Sequence, residues 1–405
     1  MAKKGGESIA LGIIGFTGIV DTAFMIALIA PYAKELGASE PEAGLIAGLY
    51  GIAALPASVL AGFIVDRFGR KRSLTLGLAW DAVTVFAYSL ASSLKLLATL
   101  RILHAIGGSL VYPAFLASVG DRAWGRRGYG FKVGTYLAIV ALAVALGSLL
   151  ASATVRLLGF EDTFRLLSAI IAIGLAASIY VTETGGGSRP VEVLRGIWRQ
   201  RSTIGPGLAL MFLLYVSFGA ITGGLGLALY SVDVAESEEE ASSLVGAYVG
   251  IASLASVALF LASGAALDRG LGVHLIVSAA ASAIVSQIAV ASLRDPLAII
   301  VLAALYGLPI AAYMTASSYL VLMAPRKSRG GAVGFQQVVN ILGIAVGAPL
   351  AGITVKYLGI EGLAFLTAAP IVVGVPVFLK AERENRKSVM EKGKRGQAII
   401  DDQTS

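Results

Sequence analysis

The chain has 405 residues, of which 57% are hydrophobic and 14% charged, whereas soluble domains average about 45–50% apolar and about 25% charged residues. This composition excludes a soluble enzyme, and the absence of cysteine, with only two histidines, argues against disulfides and against a metal centre. The net charge of +7 does not by itself indicate nucleic-acid binding, because basic loops beside a membrane give the same excess.

Twelve apolar stretches are long enough to cross a bilayer core of about 30 Å, which needs roughly 20 residues per helix. The first six predicted spans cover residues 9–33, 43–65, 73–92, 96–120, 133–155 and 164–181. The second six cover residues 204–230, 243–267, 273–293, 297–324, 331–355 and 360–379. The first stretch is too long for the apolar part of a signal peptide, so it is predicted to be a retained helix.

Most of the 32 lysines and arginines fall on one face of this arrangement, the face that also carries both termini. Basic loops stay in the cytoplasm. The pattern therefore predicts a multi-pass protein of the cell membrane with both termini cytoplasmic, and it leaves no charge that calls for a nucleic-acid partner.

The segment Gly-Gly-Gly-Ser-Arg-Pro at 185–190 is the most linker-like part of the chain, and a basic amphipathic stretch follows it at 191–201. The chain is predicted to divide there. The predicted parts are an N-terminal six-helix bundle (1–183), a cytoplasmic linker with an amphipathic helix (184–202), a C-terminal six-helix bundle (203–380) and a cytoplasmic tail (381–405).

The two predicted bundles share sequence features at one constant offset. Gly62, Asp66 and Arg67 reappear 202 positions later as Gly264, Asp268 and Arg269, and the pair Arg127-Gly128 reappears as Arg329-Gly330. Two separate loops with the same offset indicate a duplicated six-helix unit, which is how several transporter folds are built around a site near the middle of the membrane.

Residues 62–72 read G-F-I-V-D-R-F-G-R-K-R. This segment closely resembles the signature G-x-x-x-D-R-x-G-R-[KR] of the major facilitator superfamily of secondary transporters. The helix count, the duplication and the central linker extend the resemblance over the whole chain. It implies an all-α membrane fold of twelve helices in two pseudo-symmetric bundles, which work by alternating access.

By this resemblance the loop acts as a conformational latch, in which Asp66 and Arg70 form a charge network with Asp121 at the end of helix 4. Gly62 and Gly69 allow a close helix approach and a tight turn, and Arg67 stays in the cytoplasmic interface. The alternative is that the cluster only fixes the topology. The second copy, at Asp268 and Arg269, lacks the basic run and is not expected to form a latch.

Three strongly charged residues lie well within predicted spans: Asp21, Asp81 and Arg101. Each costs at least about 2.5–3.5 kcal/mol near the bilayer centre, so each is a candidate functional residue. Asp21 lies near the midplane, and His104 follows Arg101 by one helical turn on the same face. Asp81 is expected to support helices 2 to 4 rather than to contact a substrate.

Residues 101–107, R-I-L-H-A-I-G, are partly similar to the helix 4 motif R-x-x-Q-G-x-G of proton-coupled drug exporters. We predict that Asp21 binds a coupling proton, that Arg101 shares a water-filled space with it, and that His104 relays protons. In the alternative, Asp21 and Arg101 form a static buried pair that holds helices 1 and 4 together.

A central cavity lined by aromatic and amide side chains is predicted from the helices that line it in this superfamily. Its candidate residues are Phe24, Tyr112, Tyr136, Tyr215, Tyr248, Tyr306, Tyr313, Gln336 and Asn340. Such a wall suits amphipathic or aromatic solutes, and aromatic faces can hold a cation.

The predicted function is proton-coupled export of amphipathic or drug-like molecules by antiport, without enzymatic activity. The expected partners are a small-molecule substrate, protons and the bilayer, and the chain is expected to act as a monomer. No Walker-type phosphate loop is present, so the expected energy source is a proton gradient, with no cofactor. Proton-coupled uptake of a small organic solute is the main alternative, and a membrane sensor that signals through the basic tail, 380–395, is a remote one.

Overall fold

A computed structural model describes the backbone of residues 2–404 and the side chains of residues 6–25, 28–39, 41–147, 150–151, 153–237 and 240–384. The tail beyond residue 384, with most of the proposed signalling segment, lies outside the described side chains. The described backbone is helical and contains no strand.

Five helices form the N-terminal half, and the last of them is bent. They are α1 (Ala2–Glu35), α2 (Glu40–Phe68), α3 (Arg70–Tyr88), α4 (Leu94–Ala123) and α5 (Tyr129–Ala177). α5 leaves helical geometry at Gly159, where φ is 78° and ψ is 174°. One continuous element thus contains two of the predicted spans.

A short helix, α6 (Pro190–Arg199), connects the halves, and six helices follow it. They are α7 (Arg201–Ser231), α8 (Glu238–Asp268), α9 (Gly272–Ser292), α10 (Pro296–Leu302), α11 (Gly307–Val321) and α12 (Arg329–Thr404). A 3₁₀ turn at Ala303–Tyr306 joins α10 to α11, so the predicted span 297–324 is interrupted. α12 breaks at Gly359, where φ is 64° and ψ is −160°.

Ten helical segments of the described chain are long and apolar enough to cross a membrane; two of them begin in α5, and one spans α10 and α11 together. The last of these segments, Arg326–Glu384, has 59 residues and would be about 90 Å long if straight, roughly three times a bilayer core. The break at Gly359 divides it into two crossings. α3 is not among the ten, and its 19 residues carry Arg70, Lys71, Arg72 and Asp81. With α3 and both parts of α12 counted, the helices accommodate the twelve predicted crossings, and the all-α membrane fold is confirmed.

The two halves touch closely at the end of the molecule formed by residues 67–72, 122–132 and 326–329, which we call the basic end. At Gly62 on α2, an added Cβ would lie 2.7 Å from the Gly330 carbonyl oxygen of α12. At Gly264 on α8, an added Cβ would lie 2.9 Å from the Phe131 Cα of α5. Small residues allow helix backbones to approach this closely.

The same helices separate toward the opposite end. Gly44 precedes Gly62, and Gly246 precedes Gly264, by 18 residues, or about five full turns, so each pair lies on one helix face. A Cβ added at Gly44 or Gly246 would meet no atom within 4 Å. The halves are therefore in contact at the basic end and apart at the other end.

We expect Gly62→Val to prevent closure of the basic end, because the added side chain would collide with the backbone of α12. The chain has no cysteine, so spin labels on Arg72→Cys and Lys327→Cys would report the separation of the halves by pulsed EPR. The distance should lengthen in Gly62→Val. Gly44→Val is the matched control, and an equal change in both variants would contradict the close-packing argument.

Candidate functional site

Three ionisable side chains from three helices meet in the middle of the N-terminal half. His104 Nε2 on α4 lies 3.0 Å from Asp21 Oδ2 on α1 and 3.4 Å from Asp81 Oδ1 on α3. The side chains are 1% exposed for Asp21 and His104 and 2% for Asp81. We call Asp21, Asp81 and His104 the acid–histidine cluster.

The orientation of the His104 ring is fixed from both sides. The Tyr88 hydroxyl of α3 lies 3.4 Å from Nδ1, while Nε2 faces the two carboxylates. In the neutral ring, Nε2–H donates to Asp21 and Nδ1 accepts from Tyr88, whereas the imidazolium donates from both nitrogens. Addition of a proton therefore changes the hydrogen bonding on both sides of the ring.

Some buried oxygens of the cluster have no hydrogen-bond partner. Asp21 Oδ1 and Asp81 Oδ1 are buried without one in the described part of the structure. Buried carboxylate oxygens are normally paired, and unpaired ones mark functional positions or a missing ligand. The cluster is thus arranged to take up a cation.

The donor atoms of the cluster lie within 4.8 Å of one another, a spacing that could hold a metal ion. A guanidinium one turn along α4 opposes a divalent cation, and the histidine already joins both acids directly. The chemistry therefore favours a proton at this position over a metal.

Arg101 contacts α2, and the alternative interpretation, a static ion pair with Asp21, is not among the contacts of the described residues. Its Nη2 donates a hydrogen bond of 3.0 Å to the Ala47 carbonyl of α2, and its guanidinium carbon lies 5.0 Å from the centre of the Tyr50 ring. Its Nε and Nη1 are buried without a hydrogen-bond partner of good geometry among the described residues. Asp21 and Arg101 are both buried, at 1% and 6% exposed; α2 holds the arginine, while α3 supplies a partner for His104.

Asp81 lies beside His104 and Asp21, which the sequence analysis did not predict. It was expected to support helices 2 to 4, but its carboxylate faces His104 and Asp21. Its intramembrane charge was the signal that could have identified it, since such a charge is costly unless it is used.

At the basic end, the predicted charge network is present. Arg70 is fully buried, and it contacts Asp66 at 3.0 Å and Asp121 at 3.1 Å. Asp121 also binds Arg329 of α12 at 2.8 Å, so this network joins the halves. The sequence analysis did not assign Arg329 to this network, although the pair Arg329-Gly330 repeats Arg127-Gly128 at the offset of 202 positions. We call Asp66, Arg70, Asp121 and Arg329 the latch.

Asp66 also binds the first turn of α12, where it accepts hydrogen bonds from the backbone of Gly330 (3.0 Å) and Gly331 (2.7 Å). A carboxylate at a helix N-terminus is stabilised by the free N–H groups and the helix dipole. Gly69 turns the chain between α2 and α3 with φ of 100°, and Arg67 is exposed beside it.

The second copy of the motif also joins the halves, contrary to expectation. Asp268 accepts hydrogen bonds from the backbone of Gly130 (2.7 Å) and Phe131 (2.8 Å) at the start of α5. It lacks the buried arginine of the first copy, and Arg269 is exposed. A carboxylate at a helix N-terminus does not need the basic run, so its absence was a poor reason to reject this contact.

The residues predicted to line the cavity fall into two sets. Tyr112 interacts with Ser318 across the halves, and Tyr215 interacts with Asn340. Gln336 donates to Ser317 at 2.8 Å and to Ser318 at 3.2 Å. Tyr112 and Ser318 therefore meet where the two halves face each other, and Tyr215, Gln336 and Asn340 lie close to this contact in the C-terminal half.

The other set packs within one half of the molecule. Tyr306 bonds to Ser217, Tyr313 to the Ile371 carbonyl and Tyr248 to Ser286, all within the C-terminal half. In the N-terminal half, Phe24 packs against α5 near Gly147, and the Tyr136 ring lies 5.9 Å from that of Phe115. Tyr248, Tyr306 and Tyr313 therefore do not line a cavity in this conformation, because neighbouring helices satisfy their hydroxyl groups.

The sequence model of the family described as Major Facilitator Superfamily matches residues 10–292 and 211–401. Multidrug resistance protein 1 of Bacillus subtilis is 28% identical over 164 residues, which cover 40% of this chain and 41% of that protein. The tetracenomycin C resistance and export protein of Streptomyces glaucescens is 27% identical over 147 residues, covering 36% and 26% of the two chains. The matched stretches thus span less than half of these relatives.

A solved structure agrees over a longer range. The human organic anion transporter MFSD10 (TETRAN) superimposes with a TM-score of 0.72 at 14% identity, covering 92% of this chain and 98% of that one. At this identity the likeness concerns the fold alone.

Proposed function

The chain belongs to the major facilitator superfamily, and on that basis we propose that it is a secondary active transporter that exports amphipathic or drug-like molecules in exchange for protons. The observation that carries this proposal is the acid–histidine cluster, which places two acids and one histidine in contact within the membrane-spanning region. Such groups persist in membrane helices where they move ions or protons.

The proposed cycle uses the contacts at the two ends of the molecule. We assign the basic end to the cytoplasm, so the closed latch corresponds to a transporter closed toward the cytoplasm. The cluster is closed to water in this conformation, and proton exchange takes place in another conformation of the cycle. The proton resides on the cluster, and His104 passes it between the two acids.

Charge supports exchange of a proton for a cationic solute. Asp21, Asp81 and Arg101 together carry one net negative charge when His104 is neutral, and one bound proton cancels it. A buried site is most stable when neutral, so loss of the proton favours arrival of another cation. The resistance and export functions named for the two relatives fit the outward direction.

The proposal is tested with the purified protein in liposomes, with ethidium as an aromatic cationic probe. An imposed pH gradient should drive ethidium against its own gradient, in the direction opposite to the proton. Movement with the proton would indicate uptake by symport instead, and ethidium movement that does not respond to the pH gradient would contradict proton coupling.

A further inference from the structure

Helix α6, between the two halves, exposes an apolar stripe. Val191, Leu194 and Trp198 are 65%, 47% and 67% exposed. Their spacings of three and four residues place them on one helix face. Arg195 and Arg199, also exposed, form the neighbouring strip.

The opposite face of α6 packs on the first turn of α12, where the latch closes. Val193 is fully buried and contacts Gly331, whose backbone N–H binds Asp66. Gly196 lies against Ser328, in the segment between Arg326 and Arg329. One face of α6 thus supports the latch while the other has no protein against it in the described chain.

The segment before α6 is bound to the other side of the latch. Thr184 accepts a hydrogen bond of 3.0 Å from the Arg70 backbone, and Gly187 and Ser188 donate to Arg67 and Asp66 at 2.8 and 3.2 Å. Gly185, Gly186 and Gly187 all have positive φ, between 72° and 92°. This backbone suits glycine, and it lets the chain follow the α2–α3 loop.

We propose that α6 binds an anionic phospholipid surface at the basic end and thereby holds the latch closed. A helix with an apolar stripe bordered by arginines lies in the membrane interface, with its charges among anionic headgroups. α7 begins at Arg201, directly after α6, and enters the membrane, which places α6 at the level of the headgroups. The Arg201 guanidinium also lies 4.9 Å from the Trp198 ring, so the stripe is flanked by a further positive charge.

This assignment goes beyond the transport function, because it concerns the equilibrium between closed and open latch and holds for any cargo. Bilayer contact on one face of α6 keeps its other face packed against Ser328 and Gly331. Without bilayer contact, α6 would hold the first turn of α12 less firmly, and the hydrogen bonds from Gly330 and Gly331 to Asp66 would break more readily.

The position of α6 is tested with single spin labels on the full chain in liposomes of phosphatidylcholine and phosphatidylglycerol. Labels on Leu194→Cys and Trp198→Cys should be accessible to oxygen, which concentrates in lipid, and a label on Arg199→Cys to a water-soluble nickel complex. Nickel access at all three positions would overturn the proposal. Labels at 194 and 198 shielded from both reagents would also overturn it, because they would indicate a protein partner.

The effect on the latch is tested with the Arg72→Cys/Lys327→Cys label pair. Addition of phosphatidylglycerol to phosphatidylcholine should increase the closed population. Arg195→Glu/Arg199→Glu should lower the closed-to-open ratio in the anionic bilayer by roughly 30-fold, given about 1 kcal/mol for each of the two basic residues at such a surface. The matched control is Arg126→Glu/Arg127→Glu, the same charge change in an exposed loop at the same end. Equal effects of both double variants, or an unchanged ratio in the α6 variant, would contradict the proposal.

Discussion

We expect Asp21→Asn to abolish proton-driven ethidium export while the protein stays folded. The carboxylate is 1% exposed and lies 3.0 Å from His104 Nε2, so it is the closest proton acceptor to the ring. An amide keeps the shape of the side chain, but it does not bind a proton at physiological pH and does not carry the negative charge that the proton neutralises. Flux driven by a pH gradient should fall to that of empty liposomes.

Exchange of ethidium for ethidium, without a gradient, separates coupling from cargo binding. This exchange should persist in Asp21→Asn at saturating ethidium, because it needs no proton and the lost charge lowers only the affinity for the cation. Thr17→Val is the matched control, since Thr17 is a buried polar residue one turn away on α1 whose hydroxyl, among the described residues, donates to the Ile13 carbonyl of its own helix. Normal proton-driven flux in Asp21→Asn, or equal loss in Thr17→Val, would remove Asp21 from the mechanism.

We expect Asp66→Asn to open the basic end. The carboxylate holds Arg70 and two backbone N–H groups of α12, and an amide cannot balance the buried guanidinium. Breaking a buried ion pair costs about 3–5 kcal/mol, which would lower the closed-to-open ratio by about two to four orders of magnitude. The Arg72→Cys/Lys327→Cys label pair would report the change as a longer distance.

Asp268→Asn is the matched control for that experiment. Asp268 binds two backbone N–H groups in the corresponding position but has no buried arginine beside it. Removal of its charge should therefore destabilise the closed basic end less, by about 1.5–3 kcal/mol, the value of a charge-assisted hydrogen bond. Equal effects of the two variants would mean that the helix N-termini, and not the Asp66–Arg70 pair, hold the halves together.

The features that could be predicted from the sequence are local or repeated. The contacts among Asp66, Arg70 and Asp121 were predicted from the resemblance of residues 62–72 to the superfamily signature, and the structure contains them. The spans followed from hydrophobic length alone. The constant offset of 202 positions between Gly62 and Gly264 indicated a duplicated unit, and the structure places both glycines at close contacts between the halves.

Features that depend on helix rotation could not be predicted. Membrane helices are apolar around most of their circumference, so the sequence does not reveal which side of α3 faces inward. Asp81 was therefore expected to support helices 2 to 4 only, and the contacts of Arg101 with Ala47 and Tyr50 were not anticipated. The buried tyrosines of the C-terminal half were assigned to the cavity for the same reason, because their partners Ser217 and Ser286 lie on distant helices.

The packing of α6 against the latch could not be predicted from the sequence either. The amphipathic pattern after the glycine run predicted a helix in the cytoplasmic linker, but nothing in it indicated that Val193 would pack against Gly331. This contact depends on the folding of the linker back over the α2–α3 loop. Only the three-dimensional arrangement brings these segments together.

The central claim is that the acid–histidine cluster carries the coupling proton. Its most direct test is the release of protons from the purified protein when ethidium is added in weakly buffered detergent solution, followed with a pH indicator. The account predicts proton release by the wild type and by Thr84→Val, a buried control on α3, and none by Asp21→Asn. Ethidium binding without proton release in the wild type, or equal release in Asp21→Asn, would contradict it.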